Sequence, residues 1–427
     1  MSDARALDPR GLGGSGAAGA DRPRLAGRAP AVFRDLLDRS LASPLRLRAG
    51  DDEVVLGAPR GGGTAGPAPA ALTLRVLRPR FFRRVLAGGN LGLGEAWMDG
   101  DFVLEDGDLP DLLTLLLRSR LDERLRGDGR LLASVLLVRL ANALRGRAGN
   151  VRRHYDKGDD LFESFLDESG AYSCGYVAEP GEDLARLQEN KFERLCAKLH
   201  LRPGERLLDV GCGYGGLLVH AARRHGVLGH GVTLSRRHFE RGRERVAKAG
   251  LAGRVRIELA DYRALAGRGP FDKVVTVGMM EHVPRREYGR FVGTIGGLLA
   301  PDGLGLIHTV GCNGPENVHD PFIQKHVFPG SGQPRLSEIA AALERHRLAV
   351  LDVENTIRHY APTAEAWLRR FREARPRLDP ARYDDRFARM WEYYLSCAIA
   401  AARASDAALY QVLFARDRAV EMPWRRV

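Results

Sequence analysis

Residues 206–216 read RLLDVGCGYGG. The pattern predicts a buried strand ending in Asp209, a tight turn on Gly211 and Gly213, and a helix after it. Glycine lets the backbone approach a ligand closely, and a helix N-terminus offers free N–H groups. Spacing of this kind is shared by several nucleotide-binding sites, so by itself it is a weak signal. The chain downstream keeps one rhythm. Apolar stretches at 206–213, 228–235, 254–261, 272–280 and 304–311 alternate with amphipathic ones. That order predicts a doubly wound parallel α/β sheet. A late alternating run, ALYQVLFAR (408–416), predicts an edge strand.

The 427 residues suffice for two domains, and 44% hydrophobic with 28% charged residues is a globular balance. A net charge of +12 favours anionic partners: nucleic acid, acidic metabolites or an anionic lipid surface. Residues 1–30 are rich in Gly, Ala, Arg and Pro and lack an apolar core, which predicts a disordered leader rather than a secretory signal. No apolar run approaches the ~18 residues of a membrane span, so any membrane contact is expected to be peripheral. The five cysteines are Cys174, Cys196, Cys212, Cys312 and Cys397. None forms a CxxC pair, which argues against a metal site and suits a reducing cytoplasm. Residues 31–145 contain an amphipathic helix (31–42), a strand (72–77), a helix leading into a turn and glycine-rich segment (81–106), and further helix. They are expected to form a small α/β domain, with residues 146–427 as the second.

Strand two ends in GVTLS, without the acid that a dehydrogenase uses to hold a ribose. Thr233 and Leu234 therefore supply the polar and backbone contacts at that tip. Asp261 and Tyr262 close strand three, where they could read an adenine amine and cover its ring. The form G-C-G-Y-G-G, with an acid two residues before it, resembles motif I of S-adenosylmethionine-dependent methyltransferases.

Placed in order, RRHYDKGDDLFESFLDESGAYSCGYV, LLDVGCGYGGL, GVTLS, MMEHV, PFIQKHVFPG, RHYAPTAEAW and ARMWEYYL extend that resemblance. Over residues 70–416 the chain resembles the cyclopropane-fatty-acyl-phospholipid synthase family, which includes the mycolic acid cyclopropane synthases. The resemblance implies a seven-stranded Rossmann-like methyltransferase sheet with a smaller N-terminal α/β lipid-associated domain. It implies methyl transfer from S-adenosylmethionine to a cis double bond of a phospholipid acyl chain, then proton loss and ring closure. A bound bicarbonate would take the proton, enclosed by Glu281, His308, Tyr360 and the Cys174 segment. Cys174 would line the pocket while its segment's backbone N–H holds the anion, so no nucleophilic role is expected. Tyr155 and Tyr172 would contact the sulfonium or the cation. Ser173 would touch the methionine part of the cofactor, and Asp209, Gly211, Gly213, Thr233, Leu234, Asp261 and Tyr262 would complete its site. PFIQKHVFPG would cover an acyl channel. Cys397 sits one residue away from a cysteine position of the family and is kept out of the site.

The expected partners are an unsaturated phospholipid and an anionic membrane surface at the inner face of the membrane, with a homodimer left open. No nucleic-acid partner is expected, since the chain has no separate basic recognition module. The nearest alternative is a relative that stops early and yields methylene- or methyl-branched chains. Retention of both Glu281 and His308 favours ring closure. A non-enzymatic lipid-binding protein is disfavoured by the intact glycine loop.

Overall fold

The computed structural model describes residues 23–57, 72–127, 129–144, 158–265, 267–314, 320–417, 419–420 and 422. Residues 1–22, most of the expected leader, and Tyr155 lie outside them.

The N-terminal part runs α1 (Arg28–Ser40), β1 (Leu45–Ala49), β2 (Asp52–Leu56), β3 (Thr73–Val76), α2 (Arg80–Met98), β4 (Phe102–Asp106), α3 (Leu109–Arg118), α4 (Leu121–Gly127) and α5 (Gly129–Leu144). Its sheet has the order β2-β1-β3-β4. Asp108 caps α3 by accepting from the Leu109 N–H, and Pro110 sits in the first turn, where a missing N–H costs nothing. Residues 81–98 hold a surprise. The glycine-rich segment is not a turn: α2 runs through it, kinked at Gly89 (φ 54°, ψ −131°). Glycine is needed there for contact. A Cβ on Gly92 would meet the Arg84 carbonyl oxygen at 2.1 Å, and one on Gly94 the Phe322 and Tyr393 rings at 2.3–2.7 Å.

The second part contains α6 (Asp159–Phe165), α7 (Leu184–Lys198), β5 (Arg206–Val210), α8 (Gly216–His225), β6 (Leu228–Thr233), α9 (Arg236–Lys248), β7 (Val255–Leu259), β8 (Phe271–Val277), α10 (Tyr288–Gly297), β9 (Leu299–Gly311), α11 (Leu336–Arg345), β10 (Ala349–Asn355), α12 (Tyr360–Ala374), α13 (Asp385–Ala404) and β11 (Ala408–Ala415). Its seven-stranded sheet has the order β10-β11-β9-β8-β5-β6-β7. The five strands from β9 to β7 are parallel; β11 runs antiparallel to both its neighbours, β9 and β10, so β10 runs in the direction of the five. The expectation of an edge strand at 408–416 is corrected here. β11 lies between β9 and β10, and all eight of its residues are buried. The edge is β10, a half-exposed strand whose Asp352 and Glu354 pair with Lys198 and Arg194 of α7.

The two parts share one hydrophobic core. Phe33, Phe81, Phe82 and Phe102 belong to the same buried cluster as Trp367 of α12 and Trp391 and Tyr393 of α13. Segment 321–330 adds Phe322 to this core and is held in a short π-helical turn at Ile323–Val327.

Candidate active site

At the carboxyl edge of the sheet lies a cavity of about 1390 Å³. Its walls include Gly211, Gly213, Thr233, Leu234 and Tyr262 from the strand tips, Glu281, His308 and Tyr360 beyond them, and apolar side chains of the N-terminal part such as Leu74, Phe81 and Leu112. The cavity thus joins the glycine loop to the N-terminal core.

The loop is built for close approach. Gly211, Gly213 and Gly215 have φ of 83°, 52° and 75°, values that L side chains adopt only with strain. A Cβ on Gly213 would meet nothing within 4 Å, because it would point into open space. α8 starts here with no side chain capping its first N–H groups, which leaves them for a polar ligand. Leu234 is 68% exposed, an unusual position for leucine that suits a flat apolar ring laid against it. Asp209 is buried with Oδ1 unpartnered, and burial lifts its carboxyl to about 7. These groups fit S-adenosylmethionine: backbone donors, a polar strand tip and an apolar ledge. Asp261 is not brought in. Its carboxylate grips Arg263 at 2.5–2.9 Å, which together with the Arg263 N–H holds it below the usual carboxylate range, and it does not line the cavity.

Deeper in, three polar groups from distant segments face one space. Glu281 follows β8 in a short 3₁₀ turn. Its Oε1 accepts from the Val310 N–H at 2.6 Å, whereas Oε2 is buried without a partner. Burial raises this carboxyl to about 7. His308 on β9 is 2% exposed, and burial pushes its imidazole down to about 3, so the ring is neutral. Gln411, directly opposite on β11, donates its amide to Nδ1 at 3.2 Å. This assigns the ring proton to Nε2, which is buried without a partner. Tyr360 opens α12, and burial holds its phenol protonated.

Residues 172–174 sit on one wall. The Ser173 hydroxyl accepts from Lys191 Nζ and its carbonyl from Gln188, both at 2.9 Å. Cys174 is 1% exposed, and burial pushes its thiol to about 12, far from the thiolate a nucleophile needs. The Gly175 N–H is committed to Thr363 Oγ1 and that of Tyr176 to the Leu187 carbonyl. The Tyr172 hydroxyl lies 2.7 Å from that of Tyr394, and both rings belong to an aromatic wall with Phe328 and Trp367.

Sequence reasoning missed Gln411, Lys191 and Tyr394. Lys191 is 2% exposed, and burial lowers its ammonium to about 8 although Asp167, Cys174 and Asp209 favour the charge. Cys397, kept out of the site on the sequence, lines the cavity wall beside Asn90.

Fold and cavity together define an S-adenosylmethionine-dependent methyltransferase. The family described as "Mycolic acid cyclopropane synthetase" matches residues 143–412. The chain belongs to this family. It is 38% identical over 353 residues to the cyclopropane-fatty-acyl-phospholipid synthase of Escherichia coli (strain K12), covering 82% of this chain and 89% of that one. It is 33% identical over 397 residues to a probable fatty acid methyltransferase of Pseudomonas putida, covering 91% and 96%. Among solved structures, a mycolic acid cyclopropane synthase complexed with SAH and CTAB superposes with a TM-score of 0.57 at 27% identity, covering 62% of this chain and 96% of that one.

Proposed function

We propose that the chain converts a cis double bond of an unsaturated phospholipid acyl chain into a cyclopropane ring, with S-adenosylmethionine as the one-carbon donor. The observation that carries this reading is the continuous cavity from the glycine loop, past Glu281, His308 and Tyr360, into the apolar N-terminal part. S-adenosylmethionine supplies an electrophilic methyl group when bound. The loop and the 172–174 wall orient the donor, and the apolar bore holds an alkene in line with it, as a weak nucleophile requires. Positive charge then develops on the acyl chain beside the faces of Tyr172, Phe328 and Tyr394, which attract a cation without bonding to it.

Bicarbonate fits the inner polar group. The Nε2–H of His308 and the hydroxyl of Tyr360 are donors for its oxygens, and Glu281 Oε2 is an acceptor for its O–H. The amide of Cys174 completes this reading of the segment. A bicarbonate held there supplies a base too weak to trap the cation. Glu281 and His308 keep it in place, and the dry aromatic wall excludes water that would capture the charge. Lipid mass spectrometry after expression in a host lacking the activity tests the whole reading. Cyclopropane-bearing phospholipids are expected. Branched chains without rings would move the chain to the early-stopping reaction, and unchanged lipid would remove the assignment.

The substrate lies in a membrane, yet no helix of the described residues is long and apolar enough to cross one. Peripheral docking at the cytoplasmic face, through α3 and α5, resolves this. Leu117, Leu136, Leu137 and Leu140 are 36–57% exposed there, and the bore is lined nearby by Leu112, Leu116 and Val135. With a net charge of +12, co-sedimentation is expected with anionic vesicles and not neutral ones. It should weaken as salt rises, because exposed charges are screened over about 8 Å at physiological ionic strength. Equal, salt-independent binding to both vesicle types would exclude the electrostatic part of this reading.

A further inference from the structure

Away from the cavity, α7 and α8 bring together four side chains with metal-ligating atoms. Glu193 and Cys196 are three apart on α7 and share a face. His220 and His225 lie on α8, which packs against it. The Cys196 sulfur and one nitrogen from each imidazole all lie within 4.8 Å of one another. Glu193 bridges the two rings: its Oε2 is 3.0 Å from His220 Nε2 and 3.3 Å from His225 Nε2. None of the four lines the cavity.

We propose that Cys196, His220 and His225, with Glu193 drawn in as the fourth ligand on binding, form a structural zinc site that clamps α7 to α8. The donor set is one thiolate, two imidazoles and one carboxylate, a soft-to-borderline mixture that suits Zn²⁺ and disfavours Mg²⁺ or Ca²⁺. The histidine pair has the H-x₄-H interval within the range used by zinc modules. Bonds of about 2.0–2.3 Å put tetrahedral ligand atoms about 3.3–3.8 Å apart, so Glu193 must turn from the imidazoles toward the metal, and the cysteine and the two histidines must close by about an ångström. His225 can supply that movement. It is the last residue of α8, before Gly226 at φ 70°, and its side chain is 20% exposed. Cys196 is 1% exposed, so the site has a dry inner side and a wet outer one. Binding replaces the Cys196 thiol proton with the metal and releases it to solvent, while both imidazoles bind neutral. Cys196, His220 and His225 supply three ligands and Glu193 Oε2, already within 3.3 Å of both imidazole nitrogens, takes the fourth position; the group stands away from the cavity, so the role is structural.

The clamp has a consequence for the cofactor cradle. α8 begins on the glycine loop, and α7 carries the Gln188 and Lys191 that hold Ser173. Zinc would fix the spacing between these two walls without touching the ligand.

The test uses untagged full-length protein stripped with a chelator and dialysed against Zn²⁺. Elemental mass spectrometry should find about one zinc per chain, and zinc should raise the melting temperature. Co²⁺ in its place should give a near-ultraviolet thiolate charge-transfer band that Cys196→Ser abolishes. Since Cys196 is buried, the partly exposed His225→Gln is the second variant. It should keep the wild-type circular dichroism yet bind zinc at least about tenfold more weakly, the scale of losing one ligand-shell partner. If wild type binds only background zinc, or both variants bind it as wild type does, the cluster is a carboxylate-bridged histidine pair and the proposal fails.

Discussion

Glu281→Ala is expected to lower turnover by about 10²–10⁴-fold, the usual scale of a general-base contribution, with cofactor affinity unchanged. The two effects separate because the carboxylate stands apart from the glycine loop. Its Oε1 is tied to the Val310 N–H, and Oε2 is buried and unpartnered, in the cavity that His308 also lines. Calorimetry with S-adenosylhomocysteine reads the first effect, and product formation on unsaturated vesicles reads the second. Depleting bicarbonate should slow the wild type, and adding it back should restore the rate. A variant that turns over normally and ignores bicarbonate would make the trio structural. A variant that releases branched or unsaturated product would keep methyl transfer and remove only the assigned base.

The same carboxyl carries a stability signature. Burial raises it from an ordinary 4.5 to about 7, so the fold favours its neutral form. That stabilisation is full below about pH 4.5 and is lost as pH rises through 7. Glu281→Gln, neutral throughout, should therefore melt higher than wild type at pH 8 and not at pH 5. This gain accompanies the lost activity, the pattern of a residue kept for function at the expense of stability.

Gly213→Val is expected to weaken cofactor binding by at least about 100-fold, or ~2.7 kcal/mol. Gly213 has φ 52°, where a side chain costs about 1–2 kcal/mol, and it lines the cavity with open space where a Cβ would sit. Gly250→Val separates the two causes. Gly250 has φ 70°, and a Cβ there would meet nothing within 4 Å, but it lies in the turn between α9 and β7, outside the cavity. It should lose stability and keep affinity, measured by calorimetry below both melting points. Unchanged binding by Gly213→Val would displace the cofactor from the loop.

The parallel sheet was legible because its signals are local. A buried strand needs only a short apolar run, and the turn after β5 needs glycine at positions where φ is positive. Glu281, His308 and Tyr360 were legible through a seven-motif resemblance, since no single one of them carries a local mark of function. What escaped depends on contacts across the chain. β10 was missed because Asp352 and Glu354 interrupt its apolar pattern, and only their pairing with Lys198 and Arg194 shows why a strand tolerates them. β11 was misread as an edge because alternation does not reveal which neighbours a strand acquires. The glycines of α2 looked like a turn until Arg84, Phe322 and Tyr393 were seen pressed against them. The pairing of Asp261 with Arg263, outside the cavity lining, was likewise not visible in the strand-end pattern. Gln411 sets the His308 tautomer from a strand 103 positions away, and Glu193 meets His220 and His225 only where two helices pack. The sequence by itself determined the sheet, the loop and the reaction class, since short-range patterning and turn chemistry specify those. Which polar groups are paired, buried or left aimed at a ligand was decided by tertiary packing, because desolvation and hydrogen-bond partners exist only once distant segments meet.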